Sequence, residues 1–266
     1  MNSESKVAIQ LREYCDEHGL DFETLPQVLN EPKVVPMVRG IGYEYVVIAF
    51  LKKLLKDDER FIAGKTIVNS QLTVHGSDAE IFDTVKNKLI RLECKLAANG
   101  SFSLGTRNNA YPHSKIKIMR SRTLGEEMIR RVAENGEASI AELTAHKDSY
   151  LPNGFDFVIT NLRNAFYVTT DEDLFKFSPT EEQWNFLQTF FNTNDLVEID
   201  NALKHTHFYI RSENLTPKYS NVVCNRRGCP NPATCNFIPN YPIFRMSDAM
   251  NWKFLKDIRS DLLLQQ

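Results

Sequence analysis

Three side chains in the first half of the chain, Asp78, Glu93 and Lys95, have the types and spacing of a metal-dependent hydrolytic centre. From Leu89 to Leu96 the sequence alternates. Ile90, Leu92, Cys94 and Leu96 form an apolar set, and Arg91, Glu93 and Lys95 form the opposite polar set. Alternation of period two predicts a half-buried strand on which residues i and i+2 share a face, so Glu93 and Lys95 project side by side. Ser77 to Ile81 predicts a second strand, and the polar run Asp83 to Lys88 a turn that brings Asp78 to Glu93. An acidic pair suits Mg²⁺, which prefers oxygen ligands, takes one or two carboxylates and keeps several waters. Held on a phosphodiester, such an ion orients the attacking water and offsets charge on the leaving oxygen. A lysine two residues from the glutamate is placed to hold that water or the scissile phosphate. Glu-x-Lys by itself is common on solvated strands, so the position of Asp78 carries much of the weight.

The flanking sequence supplies the elements that would position this trio. Residues 1–19 predict a helix and residues 20–36 a connector broken by Pro26, Pro32 and Pro36. Val38 to Leu55 predicts a second helix, whose apolar residues Val47, Ile48, Leu51 and Leu55 place Glu44 at the head of the buried stripe. A carboxylate there either supports the metal site or occupies the wet end of the helix, and Arg39 is either its partner or a phosphate contact. Thr66 to Val74 predicts a strand entering the hairpin, with His75 either structural or a backbone contact. Ser114 to Met119 alternates again, with Ile116 and Ile118 inward and Lys115 and Lys117 outward. With Arg120 and Arg122 these lysines form a basic strip suited to a phosphate backbone, or an ordinary solvated face.

Thr123 to Glu126 has the pattern of a capping box opening a helix to Ala133, and Phe155 to Thr160 reads as a buried strand. Phe166 to Val168 and Leu174 to Phe177 suggest a small hairpin. Ser178-Pro179-Thr180-Glu181 predicts a second capping box and a helix to about Thr193. Val197 to Ile199 and His207 to Arg211 read as strands, and Ser247 to Leu264 as a helix whose stripe of Trp252, Leu255, Ile258 and Leu262 packs on the core or on a second subunit.

Residues 195–245 change character, and between Arg211 and Pro242 the chain is rich in Asn, Pro, Ser, Arg and Cys. Arg211, Lys218, Asn221, Asn225, Arg226 and Arg227 are of the types that read base edges. Cys224, Cys229 and Cys235, with His205 and His207 upstream, raise the question of structural zinc. Their spacing is wider than the usual knuckle, and three reduced cysteines in a loop is the other reading.

The arrangement Asp78…Glu93-x-Lys95 resembles the catalytic motif of the PD-(D/E)xK nuclease superfamily, which includes most type II restriction endonucleases, with Ser77 in place of the usual proline. The short loop Asn99 to Ser103 also looks like the one that follows this motif in several restriction enzymes. The resemblance covers roughly residues 40–165 of one domain spanning 1–266, and leaves about 195–245 as recognition structure. It implies a mixed α/β fold, a central sheet flanked by helices, and Mg²⁺-dependent hydrolysis of double-stranded DNA to 5′-phosphate and 3′-hydroxyl ends. Asp78 and Glu93 would hold the metal with the Cys94 carbonyl as a further ligand, Lys95 would orient or deprotonate water, and Glu44 would support the site. Arg39, Ser101, Ser103, Arg107, Asn108, Lys115 and Lys117 would join the 195–245 residues in contacting DNA. A methyltransferase of the same restriction–modification system is the implied functional partner. A two-fold dimer matches palindromic targets, although small enzymes of this kind also act as monomers. Two rival expectations are a structure-selective or repair nuclease of the same fold, and a non-catalytic winged-helix regulator built on residues 123–177.

Composition narrows the classes. With 42% hydrophobic and 25% charged residues among 266, the chain has the make-up of a globular protein. A net charge of −2 means that nucleic-acid binding must rest on local basic patches. The longest apolar run, Tyr45 to Leu51, is too short to span a bilayer, and Met1 to Lys6 has no signal-peptide pattern. Five cysteines in so long a chain do not suggest a disulfide framework, so a reducing cytoplasm is expected.

Overall fold

A computed structural model describes residues 5–65, 77–105, 111–120, 122–170, 175–220, 223–245 and 252–264. The chain divides into two compact units, residues 1–42 and 43–266. In the first, α1 (Lys6–Glu17) starts at Ser5, whose side chain accepts the Ala8 N–H, and stops before Gly19 at φ +66°. The expected connector is instead largely helical. Helix α2 (Leu25–Asn30) follows, and α3 (Val35–Leu54) begins in this unit and continues into the second. Pro26 and Pro36 lie in first turns, where the missing N–H has no helical partner to lose, so they start helices here.

The second unit is mixed α/β, with a central sheet of six strands flanked by helices. In chain order the strands are β1 (Phe61–Gly64), β2 (Ala79–Asp83), β3 (Lys88–Leu96), β4 (His113–Lys115), β5 (Phe157–Asn161), β6 (Tyr167–Val168), β7 (Lys176–Phe177), β8 (Phe208–Arg211), β9 (Ile243–Arg245) and β10 (Lys253–Phe254). The central sheet runs β1-β2-β3-β5-β8-β10; β3 and β5 are parallel and every other pair is antiparallel. Strands β4 and β9 pair separately, as do β6 and β7. The predicted strand 66–74 and His75 lie outside the described residues, while β1, unforeseen from sequence, forms the edge beside β2.

The remaining helices are α4 (Glu126–Glu134), α5 (Ile140–Ala145), α6 (Glu181–Phe191), α7 (Leu196–His205), α8 (Pro217–Ser220) and α9 (Ile258–Leu264). Of the two capping boxes expected from sequence, the first does not form and the second is displaced by two residues. Helix α4 starts after Gly125 with no side-chain cap, and α6 is capped by Thr180 with Gln183. Residues 197–199 are helical. Asp195 accepts the N–H groups of Val197 and Glu198, and Ile199 and Leu203, four apart, are both buried. The C-terminal helix begins only at Ile258, because residues 253–254 extend along β8 as the last strand.

Two apolar layers sandwich the sheet. Tyr43, Val47, Ile48 and Leu51 of α3 and Ile258 and Leu262 of α9 pack with Ile81, Ile90, Leu92, Cys94, Phe157, Ile159 and Tyr209. Each fully buried aliphatic side chain contributes roughly 1.5–3 kcal/mol. The stripe expected to face either the core or a second subunit therefore lies on the core at Leu255, Ile258 and Leu262. On the other face Val158, Phe208 and Ile210 meet Leu187, Ile199 and Leu203 of α6 and α7, together with Ile116, Ile118 and Phe244. With both faces covered, β5 is buried throughout, as expected of a parallel strand. Among the described residues no single helix is long and apolar enough to cross a membrane.

One clamp fixes the outer hairpin. Arg60 grips the buried Asp83 carboxylate through two parallel hydrogen bonds of 2.9 and 2.8 Å, and the N–H groups of Val85 and Lys86 donate to the same group at 3.1 Å. The Arg60 hydrogen bonds pull the Asp83 carboxyl down to about 2. A carboxyl lowered on folding stabilises the fold above its unfolded value near 4, and that stabilisation disappears as pH falls toward 2. Asp83→Asn is therefore expected to lower the urea midpoint at pH 7, with the gap from wild type narrowing at pH 3. A gap independent of pH would show that the ion pair contributes nothing.

Candidate catalytic centre and a cysteine–histidine cluster

The hairpin ladder pairs Ala79 with Leu92, which places Asp78 one step beyond it, opposite Glu93. There the Asp78 carboxylate accepts the Cys94 N–H at 2.9 Å. Lys95 Nζ lies 3.2 Å from Asp78 Oδ2 and 2.7 Å from Glu93 Oε1, so one ammonium bridges both carboxylates. The predicted trio is brought together. Its setting differs from the half-solvated strand expected, because the polar side of β3 is covered at Glu93, whose side chain is only 9% exposed. Tyr150 lies near Glu93 and acts on its carboxyl, and Arg120 sits 4.7 Å above the Tyr150 ring.

Burial raises the Glu93 carboxyl, and Asp78 adds to the shift while Lys95 and Tyr150 oppose it. Burial alone would pull the Lys95 ammonium down, but Glu93 and Asp78 outweigh it, and the net effect is well above the ordinary lysine range. In this state Lys95 is a cation that donates hydrogen bonds. Glu44 is partly buried in the third turn of α3, paired with Lys65, and raised by desolvation and by Asp78. It thus sits within the electrostatic reach of the trio, with a partner of its own other than Arg39. Two carboxylates already directed at one cation are the hard oxygen donors that Mg²⁺ takes, so the residues fit such an ion. The Cys94 thiol belongs to the apolar layer under α3, which leaves only its main chain for the site.

The expected DNA contacts fall into distinct groups. Lys115 and Lys117 are exposed on either side of Ile116, which bridges Ala97 two residues beyond Lys95. Ser101 is committed to the fold, since its Oγ lies 3.2 Å from the Lys115 N–H and 3.3 Å from the Lys115 carbonyl. Ser103 pairs by its main chain with His113, and its Oγ accepts the Gly105 N–H at 3.3 Å. Arg211 lies within β8, opposite Phe157, and donates to the Asp261 carbonyl at 3.5 Å. Arg226 is held by Asp148 at 2.6 Å, whereas Arg227 and Lys218 are exposed. Arg39 is half-buried on α3 in the first unit. Arg107, Asn108 and Asn221 lie outside the described residues.

The three loop cysteines meet a histidine that the sequence did not suggest. His146, Cys224, Cys229 and Cys235 direct their ligand atoms to one point, all within 4.8 Å of one another. His146 Nε2 is 3.3 Å from Cys224 Sγ and 3.4 Å from Cys235 Sγ. His146 Nδ1 lies 2.9 Å from the Glu142 carbonyl, which can only accept, so Nδ1 carries the proton and Nε2 turns its lone pair to the sulfurs. His207, one of the two histidines considered from sequence, is instead in the core between the rings of Tyr43 and Phe50, and burial lowers it to about 4.

Sequence reasoning therefore missed Lys65, Tyr150 and His146. Each reaches its partners from a distant part of the chain and carries no local pattern. No known protein family, curated protein or solved structure matches this chain.

Proposed function

We propose that the protein is a Mg²⁺-dependent endonuclease of the restriction-enzyme type, acting on double-stranded DNA at Asp78, Glu93 and Lys95. The observation that carries this reading is the convergence of two carboxylates from adjacent strands on one lysine, beside a third carboxylate on the packed helix. Mg²⁺, when bound, would supply charge neutralisation and an activated water at phosphorus. Asp78 and Glu93 are the residues to hold it, with the Cys94 main chain alongside. Lys95, a donor already extended between them, is placed to fix a phosphate oxygen or the water. Tyr150 orients Glu93, and Glu44, neutralised by Lys65, supports the rim.

Lys115 and Lys117 flank the strand just past the trio, where a scissile strand would need its phosphates held. Replacing both with alanine is expected to weaken binding to all duplex sequences alike and to reduce the slope of log affinity against log salt by roughly 2. An unchanged slope would remove these lysines from the interface. For the reading as a whole, a long unmethylated duplex incubated with protein and Mg²⁺ should give discrete fragments bearing 5′-phosphates, and EDTA should prevent them. A smear would favour the structure-selective or repair alternative. Intact DNA with retained gel-shift binding would favour the regulator.

A further inference from the structure

We infer that His146, Cys224, Cys229 and Cys235 bind a structural Zn²⁺ ion that fastens the 223–240 loop to the α4–α5 pair. Zinc with three cysteines and one histidine is tetrahedral, with Zn–S of about 2.3 Å and Zn–N of about 2.0 Å, so its ligand atoms stand roughly 3.5–3.8 Å apart. The imidazole-to-sulfur separations of 3.3 and 3.4 Å are within a few tenths of an ångström of that figure. Four protein ligands fill the tetrahedron and leave no open position, which marks a structural site and not a catalytic one.

The surroundings have the features of a built metal centre. His146 and Cys235 are buried, and the His146 ring stacks on Phe237 at 4.3 Å. The Glu142 carbonyl fixes the imidazole, as outer partners of zinc histidines commonly do. The wide spacing is taken up by turns. The Cys229 N–H returns to the Arg226 carbonyl with Gly228 at φ +82°, a conformation L side chains rarely adopt, and the Cys224 N–H bonds to the Pro232 carbonyl. Ile129, Leu143 and Leu151 pack with Cys235 and Phe237 of the loop in one apolar cluster, and a metal cross-link at the same place reinforces that packing. Nearby, Asp148 bonds Arg226 and Asn240, and the Tyr150 carbonyl accepts the Ile238 N–H. Residues 146–150 thus run from the metal site to the tyrosine that holds Glu93.

The test needs no DNA and is independent of the nuclease reading. Protein purified without added metal should carry about one zinc per chain, and its Co²⁺-substituted form should show the strong visible bands and thiolate charge transfer of a tetrahedral site. His146→Ala and Cys224→Ser should lose the metal, whereas His146→Cys should keep it as a four-cysteine site. Zinc extraction from wild type should speed proteolysis within residues 223–240 ahead of the rest of the chain. Folded wild-type protein without zinc that yields no tetrahedral cobalt spectrum would overturn the site. Unchanged proteolysis after extraction would overturn its fastening role.

Discussion

Lys95→Ala is expected to reduce Mg²⁺-dependent cleavage of duplex DNA by about 10³-fold or more, the usual loss when a positioned catalytic donor is removed. The expectation follows from geometry. Nζ ion-pairs with both carboxylates that would hold the metal, at 3.2 Å from Asp78 and 2.7 Å from Glu93. Duplex affinity measured in Ca²⁺ should change little, because the lysine is spent on the reacting phosphate and not on the flanking backbone. Cleavage within a few-fold of wild type would remove Lys95 from the mechanism.

The same substitution should destabilise the metal-free protein, and Mg²⁺ should restore it. Glu93 is a buried carboxylate whose charge is offset by Lys95 and supported by Tyr150. Removing one partner of a buried pair costs about 3–5 kcal/mol, since the remaining charge has no water to turn to. For a folded unit of this size each kcal/mol shifts the melting temperature by about 2–4 °C, so a fall of roughly 6–20 °C in EDTA is expected. A carboxyl raised on folding loses stability as pH rises above its ordinary value near 4, so the deficit should be larger at pH 7 than at pH 4. With the bridging ammonium gone, Asp78 and Glu93 present a more negative pair, and saturating Mg²⁺ should recover most of the loss. A melting temperature insensitive to Mg²⁺ would mean that the pair does not bind the ion, whatever the variant's activity.

Much of this centre was readable in the sequence because short-range periodicity dictated it. Alternation from Leu89 to Leu96 placed Glu93 and Lys95 on one side of β3, and the polar turn delivered Asp78 to the facing position. The helical spacing of Val47, Ile48 and Leu51 likewise placed Glu44 near the pair. What periodicity could not supply was the third dimension. Glu93 is buried and meets Tyr150, 57 positions later, and His146 meets Cys224 from 78 residues away. Local signals also competed. Ser178 and Thr180 each begin a capping pattern, and the hydrogen bonds form at the second. Residues 197–199 alternate like a strand, but Asp195 caps them and Leu203 completes a helical stripe. The arginines assigned to base reading were sorted by ion pairs invisible in the sequence, with Arg226 held by Asp148 and Arg227 left exposed.

The most direct measurement is single-turnover cleavage of one plasmid by wild type and by Glu93→Ala, each with Mg²⁺ and with EDTA, after circular dichroism has shown both folded. The account predicts discrete double-strand cleavage by wild type with Mg²⁺ alone and none by the variant under either condition. Equal cleavage by Glu93→Ala, or cleavage by wild type that persists in EDTA, would contradict it.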